Sequence, residues 1–323
     1  MARIMAAALT GTPPHASVRV DRDTSLSNGC RAVDRLLPSE RLLFATDTIA
    51  VGTFACEPHD RGFTGGSPST SHCIVFSRTP VWIQHDRGMR YVADPTVVTF
   101  HTRGRSYRRW RIGNVGDRCD WIAFPDDSVR EAIREWAPNR ADAEHAAFPF
   151  QAAAAAPSVY VRQRRLVQRL IDGTIDLFEV EEETSGLLRA VLAQAFGQPA
   201  PRCSRSQCDA VQYIRGLIAT APERPLRLPA LAAAVGLSRY QLCRRFARLS
   251  GETMSAYRLR LRLLSSLEPV CAGEDLTSIA LAHGFDSHSH FTAAFRRAFG
   301  VPPSRLRGVV TRRMTCWRSG DRR

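Results

Sequence analysis

Two short runs late in the chain carry side chains of the kinds that read or grip an extended anion. In the first, Tyr240, Cys243 and Arg244 fall on one side of a 3.6-residue wheel, with Arg245 and Arg248 on its flanks. In the second, His288, Ser289, Thr292 and Ala293 share a side, with Arg296 and Arg297 behind them. A guanidinium offers paired N–H donors that match a guanine edge or a phosphate, and phenol, hydroxyl and imidazole groups add donors and acceptors of shorter reach. The flanking arginines suit phosphates, and Tyr240, Cys243 and Arg244 suit base edges.

The charge of the whole chain supports that chemistry. The net charge is +14, yet from Arg202 onward 21 Arg stand against 8 acids (+13), while the preceding residues hold 24 Arg against 23 acids (+1). A basic C-terminal third points to a polyanion, most simply nucleic acid. Every basic residue is Arg and none is Lys, from which no functional message is taken.

These runs belong to a unit written twice. The first copy reads Ala232-Ala-Ala-Val-Gly236-Leu237-Ser238, then Leu242, Phe246, Arg248 and Gly251; the second reads Ala280-Leu-Ala-His-Gly284-Phe285-Asp286, then Phe291, Phe295, Arg297 and Gly300. The leading positions are 48 residues apart and the trailing ones 49, so the second copy has one extra residue in its turn. The small residue permits close helix approach, the Gly supplies a left-handed turn, and Leu237 or Phe285 plugs the angle. Ser238, and Asp286 or Ser287, can cap the following helix. The pattern predicts a helix-turn-helix, twice.

The remaining helices follow from the same signals. They are expected over 207–219, 239–249 and 255–267, with Pro229 in a first helical turn and Asp275 as a cap. Arg258, Arg260 and Arg262 cannot all face one way, so some are expected at phosphate and others at protein. His288 and His290 point to different sides of a helix, which argues against a metal there.

Residues 207–307 resemble the paired helix-turn-helix module of AraC/XylS-type transcription regulators. The matching residues are Leu231-Ala-x-x-Val-Gly236-Leu-Ser, Leu242-x-Arg-x-Phe246, Gly251, Ile279-Ala280, Gly284-Phe285, Ser289-x-Phe291, Phe295-Arg-Arg-x-Phe-Gly300 and Pro303-Ser304. The resemblance implies two recognition helices in successive major-groove segments of double-stranded DNA, about one helical turn (~34 Å) apart. It implies RNA polymerase as a partner. It also puts the base-reading positions on Tyr240, Cys243, Arg244, His288, Ser289 and Ala293. Ala293 stands where Arg is frequent, which weakens the second reader, and Arg245 stands where an apolar residue is usual, which softens the first unit. With Tyr240 and Arg244 facing the groove, the first helix is still expected to set specificity.

Upstream, β-prone runs at 42–46, 49–55, 72–77, 81–85, 96–101, 107–112 and 119–124 are broken by turn residues, as in a sandwich or small barrel. Ala93-Asp-Pro95, Arg103-Gly104-x-x-Tyr107 and Gly116-Asp-Arg-Cys119 are similar to the cupin-like sensor barrel of that family, which implies a small-molecule effector. Arg103, Arg105, Arg108 and Arg111 around Tyr107 would suit an anionic ligand; solvated residues on an edge strand are the plainer alternative. Trp82, Trp110 and Trp121 read as core. His59, His72, His85 and His101 include no His-x-His pair, so neither a metal nor another cofactor is expected.

The connector predicts a short helix over 130–140, a small-residue spacer at 151–156, and two amphipathic helices. One is capped by Ser158 and weakened by Gly173; the other spans 184–196 with Leu187, Leu188, Val191, Leu192 and Ala195 on one face. This hairpin either seals the barrel or joins a second copy, making a homodimer. The fold class expected is α+β and multidomain. It comprises a tail (1–28), a cupin-like regulatory domain (29–150), a helical connector and linker (151–202), an all-α double helix-turn-helix domain (203–310) and a basic tail (311–323).

Nine scattered Cys without a C-x-x-C pair read as free thiols in a reducing cytoplasm. There is no stretch of about 18 apolar residues to span a membrane. An enzyme carrying a DNA-binding tail would need a Pro-Cys-His-Arg run or a clustered His set, and neither occurs. A purely architectural protein needs no pair of reading units.

Overall fold

The computed structural model describes residues 40–60, 63, 68–86, 88–141, 147–198 and 204–307; the expected tails at 1–28 and 311–323 and the core of the linker lie outside these. The N-terminal region holds two antiparallel sheets. The larger has the order β1 (Glu40–Ala45), β2 (Ala50–Cys56), β8 (Asp117–Phe124), β3 (His72–Ser77), β6 (Val97–His101), β9 (Ala152–Ala154), and the smaller has β5 (Tyr91–Ala93), β4 (Val81–His85), β7 (Tyr107–Arg111).

Every residue of β3 and β6 is buried, because the large sheet is covered on both faces. Phe54, Val75 and Trp121 face the small sheet, while Val51, Ile74, Phe76, Phe100 and Ile122 face helices. Among the described residues the strand order does not close, so the expected sheet-rich region is a two-sheet sandwich in which no closed barrel is seen. The strand β9 pairs with β6 on one side, and its outer edge is covered by a helix. The helix beside it lends Gln194 to the N–H of Ala156 (2.9 Å) and Gln198 to that of Ala154 (3.5 Å).

That helix is α4 (Leu177–Gly197), preceded by α1 (Asp126–Arg134), α2 (Pro138–Ala141) and α3 (Pro157–Asp172). Helix α3 begins with Pro157 at its first turn and Ala156 as its cap, two residues earlier than the Ser158 cap expected; Gly173, at φ 65°, ends it. Helix α4 starts seven residues before its apolar stripe suggested, because Asp176 and Glu179 form a capping box. The stripe is spent inside the chain, with Leu187, Leu188, Val191, Leu192 and Ala195 buried beneath the large sheet. It is not available to a second copy; Leu177 and Phe178, at the start of α4, are exposed. Cys208 is disulfide-bonded, unlike the free thiols expected throughout, whereas Cys56, Cys73, Cys119, Cys243 and Cys271 are free.

The C-terminal domain is all-helical: α5 (Arg205–Thr220), α6 (Leu228–Ala234), α7 (Arg239–Ser250), α8 (Met254–Cys271), α9 (Leu276–Ala282), α10 (His288–Phe299) and a 3-10 turn (Pro303–Arg305). Helix α8 runs four residues beyond the expected end and serves both units. Its Tyr257 and Leu261 enter the core of the first, and Leu264, Leu267 and Val270 that of the second.

Candidate nucleic-acid interface

The two helix-turn-helix units share the bonds that close their turns. Leu237 N donates to Ala232 O (3.0 Å) and Phe285 N to Ala280 O (2.9 Å), closing the preceding helix over Gly236 (φ 63°) and Gly284 (φ 75°). Ser238 then caps α7 in a capping box with Gln241, and Ser287 caps α10 by accepting from His290 N (3.1 Å). The extra residue of the second turn is therefore Asp286, which is exposed and lies 3.6 Å from the His290 ring.

Helix α7 buries Leu242 and Phe246, leaves Leu249 half-buried and turns its other side out. Tyr240, Cys243, Arg244 and Arg248 are exposed and Arg245 is half-buried; Tyr240 keeps 73% of its surface open, unusual for an aromatic without a partner. Arg244 and Arg245 form no hydrogen bond or ion pair among the described residues, whereas Arg248 donates to Gln207 Oε1 on α5 (3.0 Å). Of the five predicted residues, Tyr240, Cys243 and Arg244 therefore share one open face, Arg245 flanks it half-buried, and Arg248 is partly tied to the protein.

Helix α10 is anchored by Phe291 and Phe295, with Phe299 half-buried and its ring 4.4 Å from that of Phe295 at a tilt of 60°. His288, Ser289, Ala293, Arg296 and Arg297 are exposed and line an open concavity of about 680 Å³ with the half-buried Thr292. His288 and Thr292 lie within 3.4 Å of one another. All the residues predicted for this helix thus meet along one surface, which can exchange hydrogen bonds with an extended polar partner and neutralise anions at its C-terminal end.

The arginines of α8 behave otherwise. Arg258 donates to Pro222 O and Glu223 O (2.7 Å each), Arg260 pairs with Glu252, and Arg262 donates to His283 O (2.6 Å) with its guanidinium 3.9 Å from the Phe285 ring centroid. All three make contacts to protein. Arg258 and Arg262 brace the α5–α6 loop and the second turn, a role that no local sequence signal announces because their acceptors are backbone carbonyls far along the chain.

Residues 231–308 match a family model described as a helix-turn-helix domain. The chain is 34% identical over 94 residues to the HTH-type transcriptional regulator GbdR of Pseudomonas aeruginosa, and 32% identical over 105 residues to the HTH-type transcriptional activator RhaS of Pectobacterium carotovorum. Residues 231–308 are thus similar to the helix-turn-helix domains of these transcription regulators. The GbdR match takes in 29% of this chain and 26% of GbdR, and the RhaS match 32% and 38%, so the chain spans well under half the length of these relatives. Among solved structures, ToxT of Vibrio cholerae is similar over 84% of this chain and 98% of its own, at 13% identity and a TM-score of 0.32.

Outside the helix-turn-helix domain, the predicted ligand residues do not converge. Arg103, Arg105 and Arg108 are exposed, Arg103 lying 3.4 Å from Asp126, and only Tyr107 turns inward. Its ring packs at 4.2 Å from that of His101 and 5.8 Å from that of His85, while His85 Nε2 lies 2.9 Å from the Tyr91 hydroxyl. His101 Nδ1 has no hydrogen-bond partner among the described residues. Burial drives the His85 imidazole down to about 4 and holds His101 well below the usual histidine range, with His85 and Arg109 adding to the effect. This inward His–Tyr cluster was missed because its members come from β4, β5, β6 and β7. The period-2 alternation that aims Tyr107 inward also aims Arg108 outward. Among the described residues, no three metal-ligating side chains gather, and no helix is long and apolar enough to cross a membrane.

Proposed function

We propose that the chain is a sequence-specific, double-stranded-DNA-binding transcription regulator of the cytoplasm whose two recognition helices, α7 and α10, enter successive major-groove segments. The observation that carries this reading is the pair of solvent-facing helical surfaces in a duplicated unit, on the third of the chain that holds nearly all the excess positive charge. Tyr240, Cys243 and Arg244 would read bases on one segment, and His288, Ser289 and Thr292 on the next. Arg245, Arg248, Arg296 and Arg297 would hold phosphates.

The N-terminal sandwich takes the role of effector domain in this reading, with the effector a small molecule and the working form a homodimer. The inward His85–Tyr91–His101–Tyr107 cluster, with its unpaired ring nitrogen, supports a polar effector more directly than the exposed Arg103, Arg105 and Arg108 do.

Selection of a duplex from a random pool, followed by titration of variants, tests the reading. Arg244→Ala should lose about 1–3 kcal/mol on the selected duplex and almost nothing on random duplex. His288→Ala should lose less. Equal losses of Arg244→Ala on both duplexes would reduce Arg244 to a phosphate contact.

A further inference from the structure

The first reading unit completes its core with residues of the N-terminal domain. Val92 and Ile112, with the half-buried Trp82, pack among Val211, Ile214, Ile218, Phe246 and Tyr257. Gly216 on α5 faces this contact so closely that a Cβ there would lie 3.3 Å from the Trp82 ring. Hydrogen bonding crosses the same boundary, since Val92 N donates to Gln212 Oε1 (2.9 Å).

At its centre is Asp94, fully buried. Its Oδ2 accepts from Arg215 Nη2 (3.0 Å) and from the Tyr257 hydroxyl (2.7 Å), and its Oδ1 accepts from Thr96 N (2.7 Å) and Oγ1 (2.5 Å). The Arg215 guanidinium also lies 4.6 Å from the Tyr257 ring centroid, and that ring packs 5.7 Å from the ring of Phe246, the anchor of α7. Burial alone would raise the Asp94 carboxyl. Arg215 and the bonds from Thr96 and Tyr257 outweigh burial and hold it below its ordinary value. Such a network adds little stability over an apolar contact, but it fixes one geometry, and removing a single member strands a buried charge.

The second unit is attached elsewhere. Arg78 pairs with Glu268 near the end of α8, and Phe299 and Val301 line a pocket against Val161 and Leu166 of α3. The N-terminal domain thus contacts the two units at separate places, at opposite ends of α8.

We propose that Asp94, Arg215 and Tyr257 form an interdomain latch through which the N-terminal domain positions the first recognition helix separately from the second. Arg215 and Tyr257 are then positioning residues, acting on α7 through Phe246. The consequence for DNA rests on the DNA-reading function proposed above; the latch itself does not.

Hydrogen exchange on the full chain tests it, with Asp94→Asn and the milder Tyr257→Phe. Asp94→Asn should speed exchange of α5 and α7 amides by about tenfold or more and leave those of α10 unchanged, with Tyr257→Phe giving the same pattern at smaller amplitude. Unchanged α7 protection, or equal loosening of α7 and α10, overturns the latch. Should Asp94→Asn fail to fold, Tyr257→Phe alone decides by the same criterion. On the selected duplex, Tyr257→Phe should be non-additive with Arg244→Ala and additive with Ser289→Ala; equal coupling to both helices overturns selective positioning. Localised exchange in a chain that binds no duplex keeps the latch and refutes the DNA reading instead.

Discussion

Gly236 and Gly284 occupy equivalent places in the repeat, yet alanine should hurt one far more than the other. Both have positive φ, 63° and 75°, so any L-residue costs about 1–2 kcal/mol from the backbone alone. At Gly236 nothing lies within 4 Å of an added Cβ. At Gly284 that carbon would meet Glu223 O at 2.6 Å and Glu223 Cα at 3.0 Å. The obstacle is backbone, held in place by the two bonds from Arg258 to Pro222 O and Glu223 O. Overpacking against such a surface adds about 1–3 kcal/mol. Gly236→Ala should thus cost about 1–2 kcal/mol and Gly284→Ala roughly 2–5 kcal/mol. Urea titrations of the full chain, followed by circular dichroism, read the difference, and Arg258→Ala should reduce the Gly284→Ala penalty by freeing the loop. Equal costs for the two alanines would refute the close seating of the second turn on the α5–α6 loop.

Acid should weaken the N-terminal sandwich before it reaches the latch. His72, His85 and His101 are held neutral in the fold mainly by burial, whereas the unfolded chain takes up protons near pH 6.5. The unfolded state binds more protons below that value, so stability should fall as pH drops from 6.5 toward 4, by roughly 3 kcal/mol from His85 alone. Melting curves between pH 7.5 and 4.5 check the slope, and His85→Gln should flatten it; a pH-independent Tm would contradict the burial of these rings. Asp94 has the opposite charge type and a depressed carboxyl, so its contribution persists above the unfolded value near 4 and disappears only below it. Ser238→Ala and Ser287→Ala each remove a cap and should cost about 1 kcal/mol in urea titrations, with no change at either site meaning that solvent already serves those amides.

The C-terminal domain was legible in the sequence because its information is local. Glycine, cap residue and apolar anchors lie within one turn of one another, and repetition shows them twice. The side of α7 that holds Tyr240, Cys243 and Arg244 followed from Leu242 and Phe246 alone. The N-terminal region was less legible for physical reasons. β5 and β9 are three residues long, too short for alternation to register, and the closure of a sheet depends on edge coverage by Gln194 and Gln198 from a distant helix. The α4 stripe was visible, but whether it met a sheet or a second copy was not. The Asp94–Arg215–Tyr257 network joins residues more than a hundred positions apart, and no spacing encodes it.

The most direct test of the central claim is the affinity of the full chain for its selected duplex, measured across salt concentrations. Four flanking arginines, Arg245, Arg248, Arg296 and Arg297, predict that log affinity falls linearly with log salt at a slope of about −3 to −4, close to −0.9 per phosphate neutralised. Arg296→Ala should reduce that slope by about one unit, and Arg244→Ala should leave it nearly unchanged while lowering specific affinity. A flat salt response would contradict DNA binding through these two helical faces.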